Sequence, residues 1–403
     1  MNTKQLRSGA KVEREVRPDT IGILKDLVGF ATESSRSNLA LIDYIESYLK
    51  GLGIKSQLFY NDERNKANLY ATVGPTDKSG IALSGHTDVV PVAGQNWSFD
   101  PWTLTGRDDR LFGRGSCDMK GFIATALASL PDILKQTLQR PLHLCFSYDE
   151  EIGCKGVRSL LAHLQDQPNK PAGCIVGEPT GMRVVVGHKG KLTMGCDVTG
   201  HACHSALLTS GVNAIEGAAQ IVEYLRKTAG HLQQNGPFDT DFDIPFTTVH
   251  TGVIKGGLAI NIIPDKCKFI FEFRHLPTDD PQTLLRQLQG FVDKDVKPRM
   301  RSSEGRQGSF SWSEVASFPG LDTSKENPLV QMALACAEQH ITSKVSFGTE
   351  AGLFQRAGIP SVVCGPGHIE QAHKPDEFVE TSQLANCEMF IERLGRKLAT
   401  DDF

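Results

Sequence analysis

PLHLCFSYDEEIG, residues 141 to 153, carries a mostly apolar run straight into three consecutive acids, Asp149, Glu150 and Glu151. A short apolar run bounded by Pro141 and Gly153 reads as a strand buried on both faces. Such strands belong to parallel sheets covered by helices, so this stretch decides the fold class. It also poses a chemical problem, because three neighbouring carboxylates raise one another's cost of ionisation. Either positive charge gathers there, or the acids sit in a solvated loop.

Outward from this stretch the same texture repeats. NLYATVG (68–74), SGIALSGH (79–86), GCIVGEP (173–179) and IPSVVCG (359–365) are further short apolar runs between Gly, Pro or polar residues. Helical spacing of apolar residues marks TIGILKDLVGFAT (20–32), NLALIDYIESYLKGLG (38–53), KGFIATALASLPDILKQ (120–136) and NPLVQMALACAEQH (327–340). Strands alternating with helices predict a three-layer α/β domain with a mainly parallel sheet.

From residue 189 the texture changes. GKLTMGCDVTGH (190–201) and KCKFIFEFRHL (266–276) alternate like strands with one solvated face, interleaved with helical patterns in 213–229 and 281–295. We therefore expect an inserted α+β unit over 189–298, with the catalytic α/β domain split into 1–188 and 299–403.

At 403 residues two domains are the default. The charged fraction of 22% and net charge of −4 argue against nucleic acid or an anionic membrane as partner. The charged N-terminus lacks a secretory signal and no stretch reaches the ~20 apolar residues of a membrane span, which predicts a cytoplasmic protein. The ten cysteines are scattered without a CxxC pair, the pattern of reduced, mostly buried thiols.

Acids and histidines recur at predicted strand ends, where open α/β sheets bind ligands. In SGHTDVVP (84–91), His86 and Asp88 point the same way in an extended chain, and the acid can hold the imidazole's tautomer. Asp118 follows a glycine-rich turn in GRGSCDMKGF (113–122), where alone it could simply cap a helix. Glu150 and Glu151 diverge on leaving their strand, so one can bind a metal while the other faces the reacting group. Glu178 ends another apolar run, and PGHIEQAHKPDEF (366–378) offers His368 and His373. His86, Asp118, Glu151, Glu178 and His373 are the oxygen and nitrogen donors that suit zinc, cobalt or a similar divalent ion. Five donors suit two ions if a carboxylate bridges them, with Asp118 as that bridge.

In this order, GHTDVVP, GRGSCDMKG, DEEIGCKG, GEPT and QAHKPDEF resemble the M20 metallopeptidase and aminoacylase family over nearly the whole chain after its first fifteen or so residues. The resemblance implies two divalent ions, one on His86 and Glu178, the other on Glu151 and His373, bridged by Asp118. It implies Asp88 as the acid orienting His86 and Glu150 as the general base. The inserted unit would be a ferredoxin-like lid and dimerisation module. There His204, in preference to His201, would reach across a homodimer to the substrate carbonyl. Asn261, Arg274, Gly348 and Thr349 match substrate-contacting positions. The implied activity is hydrolysis of a small N-acyl amino acid. The motifs leave open an N-acetyl substrate, an N-succinyl one or a broad range. A catalytically silent metal-binding scaffold on the same fold would have no use for Glu150 beside Glu151, and a nucleotide-binding enzyme is disfavoured by the lack of a Walker loop or a GxGxxG after a strand.

Overall fold

The computed structural model describes residues 14–400, so residues 1–13 and 401–403 of the expected outer segments lie outside the described residues. Its larger unit is built on a nine-stranded sheet. The centre is parallel: Ile81–His86 lies between Leu142–Ser147 and Gly173–Pro179, and Ser361–Gly365 extends the sheet beyond the last. Every residue of these four strands is buried, which explains their continuous rather than alternating apolar pattern. Ser56–Tyr60 and Ala67–Val73 form an antiparallel margin on one side, and Val185–His188, Leu321–Asp322 and Ser343–Val345 complete the other.

Helices cover both faces. Pro18–Gly29, Leu39–Gly51, Lys120–Ile133, Pro328–Ala337 and Thr381–Thr400 pack into one core cluster, while Val157–Gln165 and Ala351–Arg356 pack into a second on the opposite face. The result is the three-layer α/β architecture expected. Helix and sheet approach closely at Gly177, where an added Cβ would come within 2.0 Å of the Phe122 ring. Glycine therefore sits in this strand because the helix carrying Phe122 leaves no room for a side chain.

The second unit is a four-stranded antiparallel sheet with strand order Thr248–Gly256, Lys266–His275, Gly190–Thr199, Ser309–Phe318. With helices Ala214–Asn235 and Pro281–Phe291 it gives a βαββαβ sequence of elements, the ferredoxin-like arrangement. One face packs on these helices around Phe269, Phe271 and Phe273. The sheet reaches further along the chain than the expected end at 298, because Ser309–Phe318 pairs with Gly190–Thr199. Phe310 and Trp312 pack against the core cluster of that unit, and their burial draws this strand into the second sheet.

Among the described residues all ten cysteines are free thiols, nine buried and Cys203 partly so. No described helix is long and apolar enough to cross a membrane.

Candidate active site

The three acids of residues 149–151 separate as soon as the strand Leu142–Ser147 ends. Asp149, in left-handed backbone with φ of 55°, turns to the Lys66 ammonium and forms an ion pair with it. Glu150 and Glu151 instead enter a cleft shared with Asp118, Glu178 and His373. The turn is held by Asp88, whose Oδ1 accepts from the Glu150 N–H at 3.1 Å and whose Oδ2 accepts from the Glu151 N–H at 3.3 Å and the Ser34 hydroxyl at 2.7 Å.

His86 closes the strand Ile81–His86. Its Nδ1 hydrogen-bonds the Asp88 carbonyl oxygen at 2.8 Å and lies 3.6 Å from the Asp88 carboxylate. With Nδ1 so engaged, Nε2 faces the acids, 3.1 Å from Asp118 Oδ1 and 3.7 Å from Glu178 Oε1. On the other side His373 Nε2 lies 3.3 Å from Asp118 Oδ2 and 3.0 Å from Glu151 Oε2. Asp118 thus turns one oxygen toward each histidine. Donor atoms of His86, Glu150 and Glu178 lie within 4.8 Å of one another, as do those of His86, Asp118 and Glu151.

The electrostatics follow from this crowding. Burial, reinforced by the charges of Glu151 and Asp118 and opposed by His86, raises the Glu150 carboxyl to about 8. Burial and Asp118 raise Glu151 to about 6 against the pull of His373, and burial with Asp118 raises Glu178 as well. Burial would raise Asp118 too, but hydrogen bonds from His373 and His86 outweigh it and hold that carboxyl low. Its bonds to Asp118 and Glu151 lift His373 to about 10. A nest of four carboxylates and two imidazoles, buried at His86, Asp118 and Glu178 and open at His373, is a poor apolar core and a good cation site.

The remaining candidates divide. Arg274 and Gly348 line the same cleft. Thr349 is fully buried, with its hydroxyl accepting from the Ala351 N–H at the start of the next helix. His368 packs against Gly181 and pairs with Thr180, and it does not line the acid cleft. His204 and Asn261 are exposed on the second unit, where His204 bridges to Ile262 and the Asn261 carbonyl accepts from Ser205. Neither lines the acid cleft.

Three features escaped the sequence reading. Lys191 lines the cleft opposite the acids and pairs across strands with Arg274, and Glu272 holds both, 3.3 Å from Lys191 Nζ and 2.8 Å from Arg274 Nε. The period-2 alternation of 190–199 and 266–275 could have placed Lys191 and Arg274 on one face. Glu350, buried behind the cluster, accepts from the hydroxyls of Ser84 at 2.5 Å and Ser147 at 2.8 Å. Glu377 and Arg114 form a fully buried ion pair beside Asp118. No local pattern distinguished these two from ordinary surface charges.

A family model described as peptidase family M20/M25/M40 matches residues 82–397. The acetylornithine deacetylase of Pasteurella multocida (strain Pm70) is 32% identical, over 95% of this chain and 99% of that protein. That of Myxococcus xanthus is 35% identical, over 92% and 95%. Among solved structures, the M20 family metallo-carboxypeptidase Sso-CP2 from Sulfolobus solfataricus is similar with a TM-score of 0.75 at 18% identity, covering 95% of this chain and all of that one. A dinuclear metal binding M20 peptidase from Bacillus subtilis gives 0.66 at 15% identity, covering 93% and 96%. At these identities the solved structures speak for the fold alone. The family match and the near full-length relatives together place this chain in peptidase family M20/M25/M40.

Proposed function

We propose that this chain is a dinuclear metal amidohydrolase that removes the acetyl group from N2-acetyl-L-ornithine, giving L-ornithine and acetate, a step of arginine synthesis. The observation that carries the chemistry is the Asp118 carboxylate, with one oxygen toward His86 and the other toward His373. The substrate comes from the relatives that bear the name acetylornithine deacetylase and align along almost the whole chain.

The donor set fits two divalent cations, zinc or cobalt: the acids Asp118, Glu151 and Glu178 and two imidazoles, each imidazole turning Nε2 inward. His86 and Glu178 would hold one, Glu151 and His373 the other, and Asp118 both. When bound, such a pair supplies Lewis acidity for the acyl carbonyl.

The protein groups do the rest. Asp88 fixes the His86 ring and the turn that carries Glu150. Glu150, facing the same cleft, takes the proton of the attacking water and returns it to the departing amine. Arg274, aimed into the cleft from the second unit, binds the substrate α-carboxylate with its fork of donors, with Gly348 lining the same cleft and Thr349 buried next to it in the chain. His204 and Asn261 serve the neighbouring site of a homodimer formed through the second unit, where His204 stabilises the developing oxyanion. The exposed apolar residues Leu207, Leu208, Leu258 and Ile260 on the same unit support that contact. The setting is the cytoplasm.

Turnover of N2-acetyl-L-ornithine, set beside N-succinyl and other N-acyl amino acids in zinc and in cobalt, tests the reading. Fastest release of acetate from acetylornithine is expected. Preference for a succinyl substrate would overturn the assignment.

A further inference from the structure

His86 and Glu178 stand at the ends of two strands hydrogen-bonded to each other, so the sheet itself sets their spacing. Asp118 and His373 have no such support. Both lie on connecting segments, Asp118 just before the helix Lys120–Ile133 and His373 just before the short strand Phe378–Glu380. His373 also occupies left-handed backbone, with φ of 64°, a conformation unfavourable for a residue with a Cβ. Something must hold these two donors in place.

A chain of polar contacts, buried at its Arg114–Glu377 end, does so. Glu377 Oε1 accepts from the backbone N–H groups of Cys117 at 2.9 Å and Asp118 at 3.0 Å. Its Oε2 takes Arg114 Nη1 at 2.7 Å, and both side chains are 1% exposed. The other end of the Arg114 guanidinium donates to Gln95 Oε1, and its plane lies over the Trp97 ring, 5.0 Å from the centroid. Trp97 Nε1 donates to the same Gln95 oxygen at 3.1 Å. The Gln95 amide nitrogen then donates to the His373 carbonyl at 3.0 Å. Three side chains thus run from the Asp118 N–H to the His373 carbonyl.

We propose that Gln95, Arg114 and Glu377 are positioning residues that hold Asp118 and His373 as a pair, and so set the affinity of the cation position these two share with Glu151 more strongly than that of the position where Asp118 is joined by His86 and Glu178. The inference rests on the two-cation reading above. A buried ion pair contributes little net stability over apolar packing. What the Arg114–Glu377 pair adds is direction: it fixes a carboxylate under the Asp118 backbone and, through Gln95, restrains His373. Groups that orient metal ligands typically change affinity by about 10- to 100-fold when removed.

The test is zinc binding to protein stripped with a chelator, followed by equilibrium dialysis against a competing indicator, so that two equivalents are read separately. Gln95→Ala, on a partly exposed loop, should weaken one equivalent by about 10- to 100-fold and leave the other near its wild-type value. Gln95→Glu keeps the acceptor for Arg114 and Trp97 but loses the donor to His373, and should show the same selective loss. Glu377→Gln removes the charge under Asp118, which serves both positions, and should weaken both equivalents, with the melting temperature of the stripped variants reporting any general loss of structure. Two unaltered equivalents, or equal weakening of both by the Gln95 variants, would overturn the proposal. Wild-type protein that takes up no zinc at all would remove the two-cation reading, and the brace with it.

Discussion

His373 Nε2 lies 3.0 Å from Glu151 Oε2, although 222 positions separate the two residues along the chain. Glu151 leaves the central strand Leu142–Ser147, whereas His373 arrives on the connection after Ser361–Gly365, beyond the inserted unit. The pair therefore exists only when both parts of the interrupted α/β domain have folded together, and so does any cation position built on it.

Glu150 is the group whose loss should separate chemistry from binding. Glu150→Gln should keep bound metal and near-normal KM, while kcat falls by roughly 100- to 10,000-fold, the usual contribution of a general base. Metal analysis alongside steady-state kinetics checks it, and unchanged turnover would eliminate Glu150 from that role.

Arg274 should govern substrate capture. Arg274→Ala removes a charged donor aimed into the cleft, a loss of about 1.5 to 3 kcal/mol, and should raise KM for acetylornithine by about 10- to 100-fold. The matched carboxamide substrate should be nearly indifferent to the same change. Equal effects on both substrates would show that Arg274 does not read the carboxylate.

Gly177 should reject any side chain. Gly177→Ala drives a methyl group into Phe122, and overpacking of this kind costs about 1 to 3 kcal/mol. The melting temperature should fall and partly recover in the Gly177→Ala, Phe122→Leu double variant. An unchanged melting temperature in the single variant would refute the close approach.

Acid should weaken the fold through His188. Burial lowers this imidazole to about 4, against the Lys189 carbonyl that its Nδ1 meets at 2.9 Å, while Nε2 accepts from the Gly352 N–H at 3.2 Å. Both ring nitrogens are committed to the neutral form. Because the folded value lies below the unfolded one of about 6.5, its contribution is complete above pH 6.5 and is lost as pH falls toward 4. Between pH 7 and pH 5 the loss is about 2 kcal/mol. Denaturant unfolding at those two pH values should show a smaller difference for His188→Gln than for wild type; an equal difference would place the acid sensitivity elsewhere.

The reach of the sequence followed the range of the interactions. The strand Leu142–Ser147 was legible because burial on both faces leaves a continuous apolar run, and the acids were legible because they follow such runs. Ser309–Phe318 alternates polar and apolar residues through Phe310 and Trp312, yet the polar stretch 297–308 before it suggested that the inserted unit had ended. Gln95, Arg114 and Glu377 could not be read at all, since their meaning lies in contacts between segments more than two hundred residues apart. His204 matched a pattern, but its surroundings in one chain are solvent rather than the acid cleft.

The central claim is that Asp118 bridges two cations. Anomalous diffraction from crystals of the zinc-loaded protein tests it most directly. The account predicts two peaks about 3.5 to 4 Å apart, flanking the Asp118 carboxylate, one beside His86 and Glu178 and the other beside Glu151 and His373. No peak in the cleft, or a single one that leaves an Asp118 oxygen unengaged, would contradict it.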